Sequence, residues 1–250
     1  MSADIILRTR DVAKRFGKLN ALNGVSAEFR RNVITSIIGP NGAGKSTYFN
    51  LLCGALQPSS GAIEFEGRDV TGLAQHRFAH MGIVKSFQIT TVFPQLSTHE
   101  NVRLAAQAMV STFDMWRPRT ALKALIEKAD RILDRVGLAD RRDRPAGLLA
   151  HGEQRALEIG VALASEPKLL LLDEPTAGMS PQETREVMDL IVGLAAERTI
   201  ILVEHKMKLV LGVSERLIVL HHGELLAEGA PDDIKRNDMV KRVYLGQRNH

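Results

Sequence analysis

A chain of 250 residues with 44% apolar and 25% charged side chains has ordinary globular usage, which excludes a disordered, fibrous or low-complexity protein and suffices for one α/β domain with a subdomain. The net charge of +4 suits an anionic ligand or a nearby anionic membrane without calling for nucleic acid. Its basic residues are interleaved with acids, as in Asp140, Arg141, Arg142, Asp143 and Arg144, the pattern of a solvated surface.

Apolar runs such as 169–172 and 200–203 fall far short of the roughly 18 residues that cross a bilayer. The first residues reach Arg8, Arg10 and Asp11 before any signal-peptide core forms, so a cytoplasmic location is expected. Cys53 is the sole cysteine; it excludes an internal disulfide or a cysteine zinc cluster and is expected as a small buried hydrophobe.

In chain order, strands are predicted at 5–9 and 24–29 around a turn at Gly17, and a β-branched strand at 33–38. That strand runs into the glycine loop at 39–44 and a helix to about Ala55. A second hairpin is predicted at 62–67 and a short strand at 82–87. From 98 to 167 the helix period dominates: Leu122, Leu125, Ile126, Ala129, Ile132, Leu133 and Val136 recur at three- and four-residue steps, with Gly137 as terminator. Strand and helix then alternate at 169–173, 181–198, 199–204 and 217–220. The reading is an α/β fold with a mainly parallel sheet and a helical insertion that forms a subdomain.

Residues 39–47, GPNGAGKST, satisfy the phosphate-loop pattern GxxxxGK[ST] in its required setting of strand before and helix after. Gly39, Gly42 and Gly44 let the backbone curl so that amides converge on phosphate oxygens, with Pro40, Asn41 and Ala43 between them, and the following helix aims its positive end at the same anion. Lys45 supplies charge, Ser46 a hydroxyl for Mg²⁺, and Thr47 completes the motif. The bland alternative is a glycine-rich turn with no ligand. Asp173 closes the run of four leucines at 169–172 and is the candidate metal-site acid. Glu174 follows; in an extended chain it points the other way, toward a water beside the γ-phosphate.

With these motifs in place the chain closely resembles the ATP-binding-cassette ATPases over nearly all its length, as one domain at 1–250 with the helical subdomain at about 98–167. The resemblance implies a P-loop NTPase fold with a parallel core and an antiparallel β subdomain, and ATP and Mg²⁺ as ligands. Phe16 looks like the family's adenine-stacking aromatic, Gln88 its metal-contacting loop glutamine, Glu174 its catalytic glutamate and His205 its switch histidine. Its signature segment falls at Leu149, Ala150, His151, Gly152 and Glu153. There it implies binding of the nucleotide held by an opposite subunit, in a sandwich dimer. Ala150 lacks the usual serine hydroxyl, which leaves Gly152, backbone amides and the helix N-terminus. Ser180 stands where many relatives carry an acid.

The segments LAHGEQRALEIG at 149–160, DEPTAGMSP at 173–181, EHKMKLVLGVSERLIVL at 204–220, YLG at 244–246 and GIVKSFQ at 82–88 resemble the larger ATPase of branched-chain amino-acid importers. That resemblance implies a peripheral protein on the cytoplasmic face of the inner membrane, beneath two permease subunits and paired with a second ATPase in a hetero- or homodimer across ATP, served indirectly by an external substrate-binding protein and engaging no nucleic acid. Urea import and lipopolysaccharide export are alternatives, the latter sharing the tail VKRVYLG at 240–246. A soluble regulatory ATPase is a further class, disfavoured by a single set of motifs and no long heptad.

Two short patterns are set aside. Residues 69–72, DVTG, match a GTPase DxxG, but no NKxD follows to read guanine. His76 and His80 are four apart, yet lack the glutamate and third ligand of a zinc site. Met179, Met188 and Met207 are expected to fill core or interface.

Overall fold

The computed structural model describes residues 4–86, 92–109 and 119–245. The chain opens with a long hairpin, β1 (Ile5–Phe16) and β2 (Leu19–Arg30), then β3 (Ile34–Ile38), α1 (Lys45–Leu52), β4 (Ser60–Phe65), β5 (Arg68–Asp69), α2 (Gln75–Met81) and β6 (Ile83–Ser86). Helices α3 (Thr98–Ala108), α4 (Arg119–Arg135) and α5 (His151–Leu163) follow, then β7 (Leu169–Asp173), α6 (Pro181–Ala195), β8 (Thr199–Val203), α7 (Met207–Val213), β9 (Arg216–His221), β10 (Glu224–Gly229), α8 (Pro231–Arg236) and α9 (Asp238–Leu245).

Two sheets result. One has the order β2-β1-β4-β5 and is antiparallel throughout; the other has the order β10-β9-β3-β8-β7-β6, parallel except for β10 at its edge. Every residue of β3, β7 and β8 is buried, as expected of central parallel strands covered on both faces. Strand alternation sends Leu169 and Leu171 into one core and Leu170 and Leu172 into the other.

The first core holds α1 between the two sheets: Tyr48, Phe49, Leu51 and Leu52 pack with Ile6, Phe29 and Phe65 on one side and Ile37 and Ile201 on the other. The Tyr48 hydroxyl shares a 2.7 Å hydrogen bond with Thr9, which ties α1 to the antiparallel sheet. Cys53 is buried in this core, and burial pushes its thiol pKa up. The opposite core packs α3 to α6 under the parallel sheet.

Several boundaries differ from those read off the sequence. The first two strands are longer, because their ladder continues to the Phe16–Leu19 pair. Helix α1 stops at Leu52 rather than Ala55, and α6 at Ala195 rather than Arg198. Leu122, counted on the apolar face of α4, is exposed, whereas Leu125, Ala129, Ile132, Leu133 and Val136 are buried. The DVTG segment is the turn after β5, where Thr71 donates its amide to Asp69 and its hydroxyl receives the Ile63 amide. Among the described residues no cluster of three or more metal-ligating side chains occurs, and His76 and His80 lie together on α2. No described helix is long and apolar enough to cross a membrane.

Candidate functional site

The loop between β3 and α1 is shaped by glycine at two tight approaches. A Cβ on Gly39 would lie 2.3 Å from the Leu220 carbonyl, and one on Gly44, at φ +96°, 2.7 Å from the Ala21 carbonyl. The loop therefore nests against β9 and β2 at distances no side chain permits. The turn between β9 and β10 adds a third wall: Gly223 donates to the Ala43 carbonyl and accepts from the Asn23 amide. Helix α1 begins at Lys45 with no side-chain cap and no acid in its first turn, so its N-terminal amides and dipole are left for an anion.

Lys45 folds back into the curl of the loop, its Nζ donating to the Gly39 carbonyl at 2.7 Å and the Pro40 carbonyl at 2.9 Å. Burial pulls its pKa below the usual lysine value, with the Glu174 carboxylate acting in the opposite direction. Ser46, Asn41 and Gly42 are exposed and Thr47 is half-buried. Phe16 ends β1 as an exposed residue, at 46%, with the Lys14 ammonium 5.1 Å from its ring centroid. The same hairpin supplies Ala21 to the phosphate loop.

Asp173 ends β7 and is buried; burial raises its carboxyl pKa, against the pull of Lys85. Lys85 Nζ stands 3.6 Å from Asp173 Oδ2 and donates to Asn50 Oδ1 at 3.0 Å, so Asp173 already faces a cation. The Asp173 carboxylate and the Ser46 hydroxyl are oxygen donors of the kind Mg²⁺ takes, and they fit that ion. Glu174 departs from the extended backbone expected of it: its φ is +45°. The strand ends at Asp173, and Pro175 disfavours the right-handed helical region for the residue before it. The two carboxylates still part company, because Glu174 Oε1 meets His205 Nε2 at 2.5 Å. His205 lines one small cleft with Gly39, Pro40, Asn41 and Glu204, so it faces the phosphate loop. Gln88 lies outside the described residues.

The signature residues open α5. Leu149 is buried, and Ala150 is the N-cap residue with no side-chain bond to offer. Glu153 accepts the Ala150 amide at 2.9 Å and pairs with Arg141 at 2.8 Å. Gly152 donates its amide to Glu183 at 3.1 Å, and the His151 ring lies against Gly178. Ser180 caps α6, accepting the Glu183 amide at 3.3 Å, while the Glu183 carboxylate returns to the Ser180 amide at 2.9 Å.

Three side chains that hold this geometry received no role from the sequence, although they lie in the segments that carry the family resemblance. Arg155 donates to the Asp173 carbonyl at 2.9 Å and the Pro175 carbonyl at 3.2 Å, and pairs with Glu158 at 2.5 Å. Glu204 accepts the amide and hydroxyl of Thr176 at 3.0 and 2.6 Å and the His205 amide at 3.2 Å. Lys85 is the third. The available signal was a charge inside an apolar pattern: Arg155 and Glu158 sit three apart on a buried helix face, and Glu204 directly follows an apolar strand.

A strand, glycine loop and helix with a lysine in the curl, and an acid ending a neighbouring buried strand, define a nucleotide-binding P-loop ATPase; the added antiparallel sheet and helical layer define an ATP-binding cassette. Residues 22–177 match the family model described as ABC transporter, and the chain belongs to that family. It is 41% identical to the high-affinity branched-chain amino acid transport ATP-binding protein LivG of Salmonella typhimurium, over 97% of this chain and 98% of that protein. It is 38% identical to BraF of Pseudomonas aeruginosa, which bears the same description, over the same shares. A crystal structure of the ADP conformation of an ATP-binding cassette of an ABC transporter superposes with a TM-score of 0.85 at 32% identity, over 97% of this chain and 99% of that one.

Proposed function

We propose that this chain hydrolyses Mg²⁺-bound ATP to drive a membrane importer of branched-chain amino acids. The observation that carries the catalytic part is the pairing of Glu174 with His205 at 2.5 Å, His205 itself lining a cleft with Gly39, Pro40 and Asn41 of the phosphate loop. Amides of 39–47 and the Lys45 ammonium bind the phosphates, and Phe16 stacks on the base. Ser46, Asp173 and Gln88 hold Mg²⁺, which supplies positive charge to the phosphate oxygens when bound. Glu174 takes the proton of the attacking water. His205 orients Glu174 and reaches toward the γ-phosphate.

The substrate is supported by similarity to the branched-chain amino acid transport ATP-binding proteins of Salmonella typhimurium and Pseudomonas aeruginosa, and the partners are those that the family resemblance implies. In this reading the chain is one ATPase domain whose helices at about 98–167 form a subdomain. It sits at the cytoplasmic face of the inner membrane beneath two permeases, and pairs across ATP with a second ATPase through residues 149–153. An external binding protein delivers the cargo. An apolar surface suits a permease: Phe93, Leu96 and Leu148 are 57%, 36% and 64% exposed. They are held together where Ala146 and Gly147 donate to the carbonyls of Leu96 and Pro94. The test is co-expression with the candidate permeases and second ATPase, followed by purification in detergent. Co-purification and ATP turnover stimulated by leucine-loaded binding protein are expected. Failure to co-purify, or indifference to every branched-chain amino acid, would redirect the reading to urea import or lipopolysaccharide export.

A further inference from the structure

Glu183 is the third residue of α6, and one of its carboxylate oxygens closes the cap of that helix on the Ser180 amide at 2.9 Å. A carboxylate at this position needs no further partner to do that work. Its second oxygen nevertheless leaves its own helix and accepts the amide of Gly152 at 3.1 Å, at the second residue of α5. The contact is tight: a Cβ on Gly152 would lie 3.1 Å from Glu183 Cγ and 3.2 Å from its Cβ. Beside it, His151 approaches Gly178, with its Cε1 3.3 Å from where a Cβ on that glycine would stand. The segment 149–153 thus touches the loop 177–180 at two points, and Glu183 bonds both segments at once.

We propose that Glu183 is a positioning residue that couples the segment 149–153 to the loop following Glu174 in the same chain. This rests on the proposed reading that 149–153 receives the phosphate of the partner's nucleotide. Gly152 is then the hinge of the coupling. An anion arriving at the N-terminus of α5 competes with Glu183 for its amide, because both are acceptors for the same helix-end donors. Any shift of Gly152 is passed through the carboxylate to Ser180, six residues beyond Glu174. Arg155, one turn further along α5, holds the other end of that path through the carbonyls of Asp173 and Pro175. Loading of one composite site is thereby reported to the catalytic glutamate that serves the other. Ala150 sharpens the dependence, since without a serine hydroxyl the segment meets a phosphate through its amides.

The experiment uses the assembled complex with permeases and second ATPase, and compares wild type, Glu183→Gln and Ser180→Ala. Glu183→Gln keeps the size of the side chain, but its amide has a single acceptor oxygen where the carboxylate uses two, so it cannot hold the Ser180 and Gly152 amides together. Ser180→Ala removes a cap bond and leaves the Glu183–Gly152 bond. Three readouts are taken: affinity of the isolated chain for a fluorescent ATP analogue, melting temperature, and the ATP dependence of turnover. For Glu183→Gln the expectation is unchanged nucleotide affinity, kcat changed by about tenfold, and a Hill coefficient moved from the wild-type value toward 1, the scale of an ordinary intersite coupling. Ser180→Ala is expected to lower the melting temperature and keep the wild-type Hill coefficient. A Glu183→Gln complex with wild-type kcat and Hill coefficient would overturn the proposal. So would a loss of turnover that merely follows the melting temperature in both variants. A wild-type complex with no cooperativity and no ATP-dependent pairing would remove the reading of 149–153 itself, and the coupling with it.

Discussion

The Arg155 guanidinium donates to the Asp173 carbonyl at 2.9 Å, and through Nε it also holds the Pro175 carbonyl at 3.2 Å, so a side chain of α5 grips the backbone on both sides of Glu174. Both Arg155 and its partner Glu158 are buried. Arg155→Ala leaves a buried carboxylate without its cation and is expected to cost about 3 to 5 kcal/mol of folding stability. Urea denaturation measures it. The double variant Arg155→Met, Glu158→Leu removes both charges and should recover a large part of the loss, while leaving the Asp173 and Pro175 carbonyls without their donor and turnover impaired.

The two inner glycines of the phosphate loop should respond differently. Gly44→Ala forces a side chain into left-handed backbone and against the Ala21 carbonyl, whereas Gly42, at φ +78°, has open space around it. Left-handed strain alone, about 1 to 2 kcal/mol, is expected for Gly42→Ala. Gly44→Ala adds overpacking of about 1 to 3 kcal/mol. Thermal unfolding of the nucleotide-free variants separates the two.

Lys45 gives a pH signature. Burial lowers its pKa from the ordinary 10.5, so in the free chain it begins to lose its proton at a lower pH than an exposed lysine. Phosphates bound beside it favour the ammonium and raise its pKa again. Between the lowered value and 10.5, nucleotide binding is therefore expected to take up a proton and to weaken as pH rises. Calorimetry in alkaline buffers of different ionisation enthalpy reads the uptake directly. Lys45→Met should abolish it together with most of the affinity.

Motif and structure agree where function lies in side chains of fixed type. The glycines at 39, 42 and 44 are legible because each occupies positive-φ backbone that favours glycine, and the buried strand β7 because four leucines precede Asp173. Less was visible where a residue acts on another segment's backbone. Glu204 and Arg155 lie in family-like segments but show no role there, since the carbonyls and amides they bond leave no mark in the sequence. The turn at Glu174 was masked by the strand pattern that runs into it. The edge strand β10 and the short helices α7 to α9 are too brief for a clear period, and α9 nonetheless brings Tyr244 to the cleft that holds Gly39 and His205.

Glu174→Gln retains shape and hydrogen bonding to His205 but accepts no proton, so hydrolysis should fall by about 10² or more with ATP still bound. A filter-binding assay beside a phosphate-release assay checks both halves. Equal losses of binding and turnover would assign Glu174 to holding the nucleotide rather than to proton transfer.

The central claim, that hydrolysis here drives amino-acid import, is tested most directly by uptake of radiolabelled leucine. The complex is reconstituted in liposomes, with ATP on the side of this chain and binding protein on the other. Uptake that requires ATP and is lost in the Glu174→Gln complex is the predicted result. Uptake that proceeds equally without ATP, or a wild-type complex that hydrolyses ATP while moving no branched-chain amino acid, would contradict it.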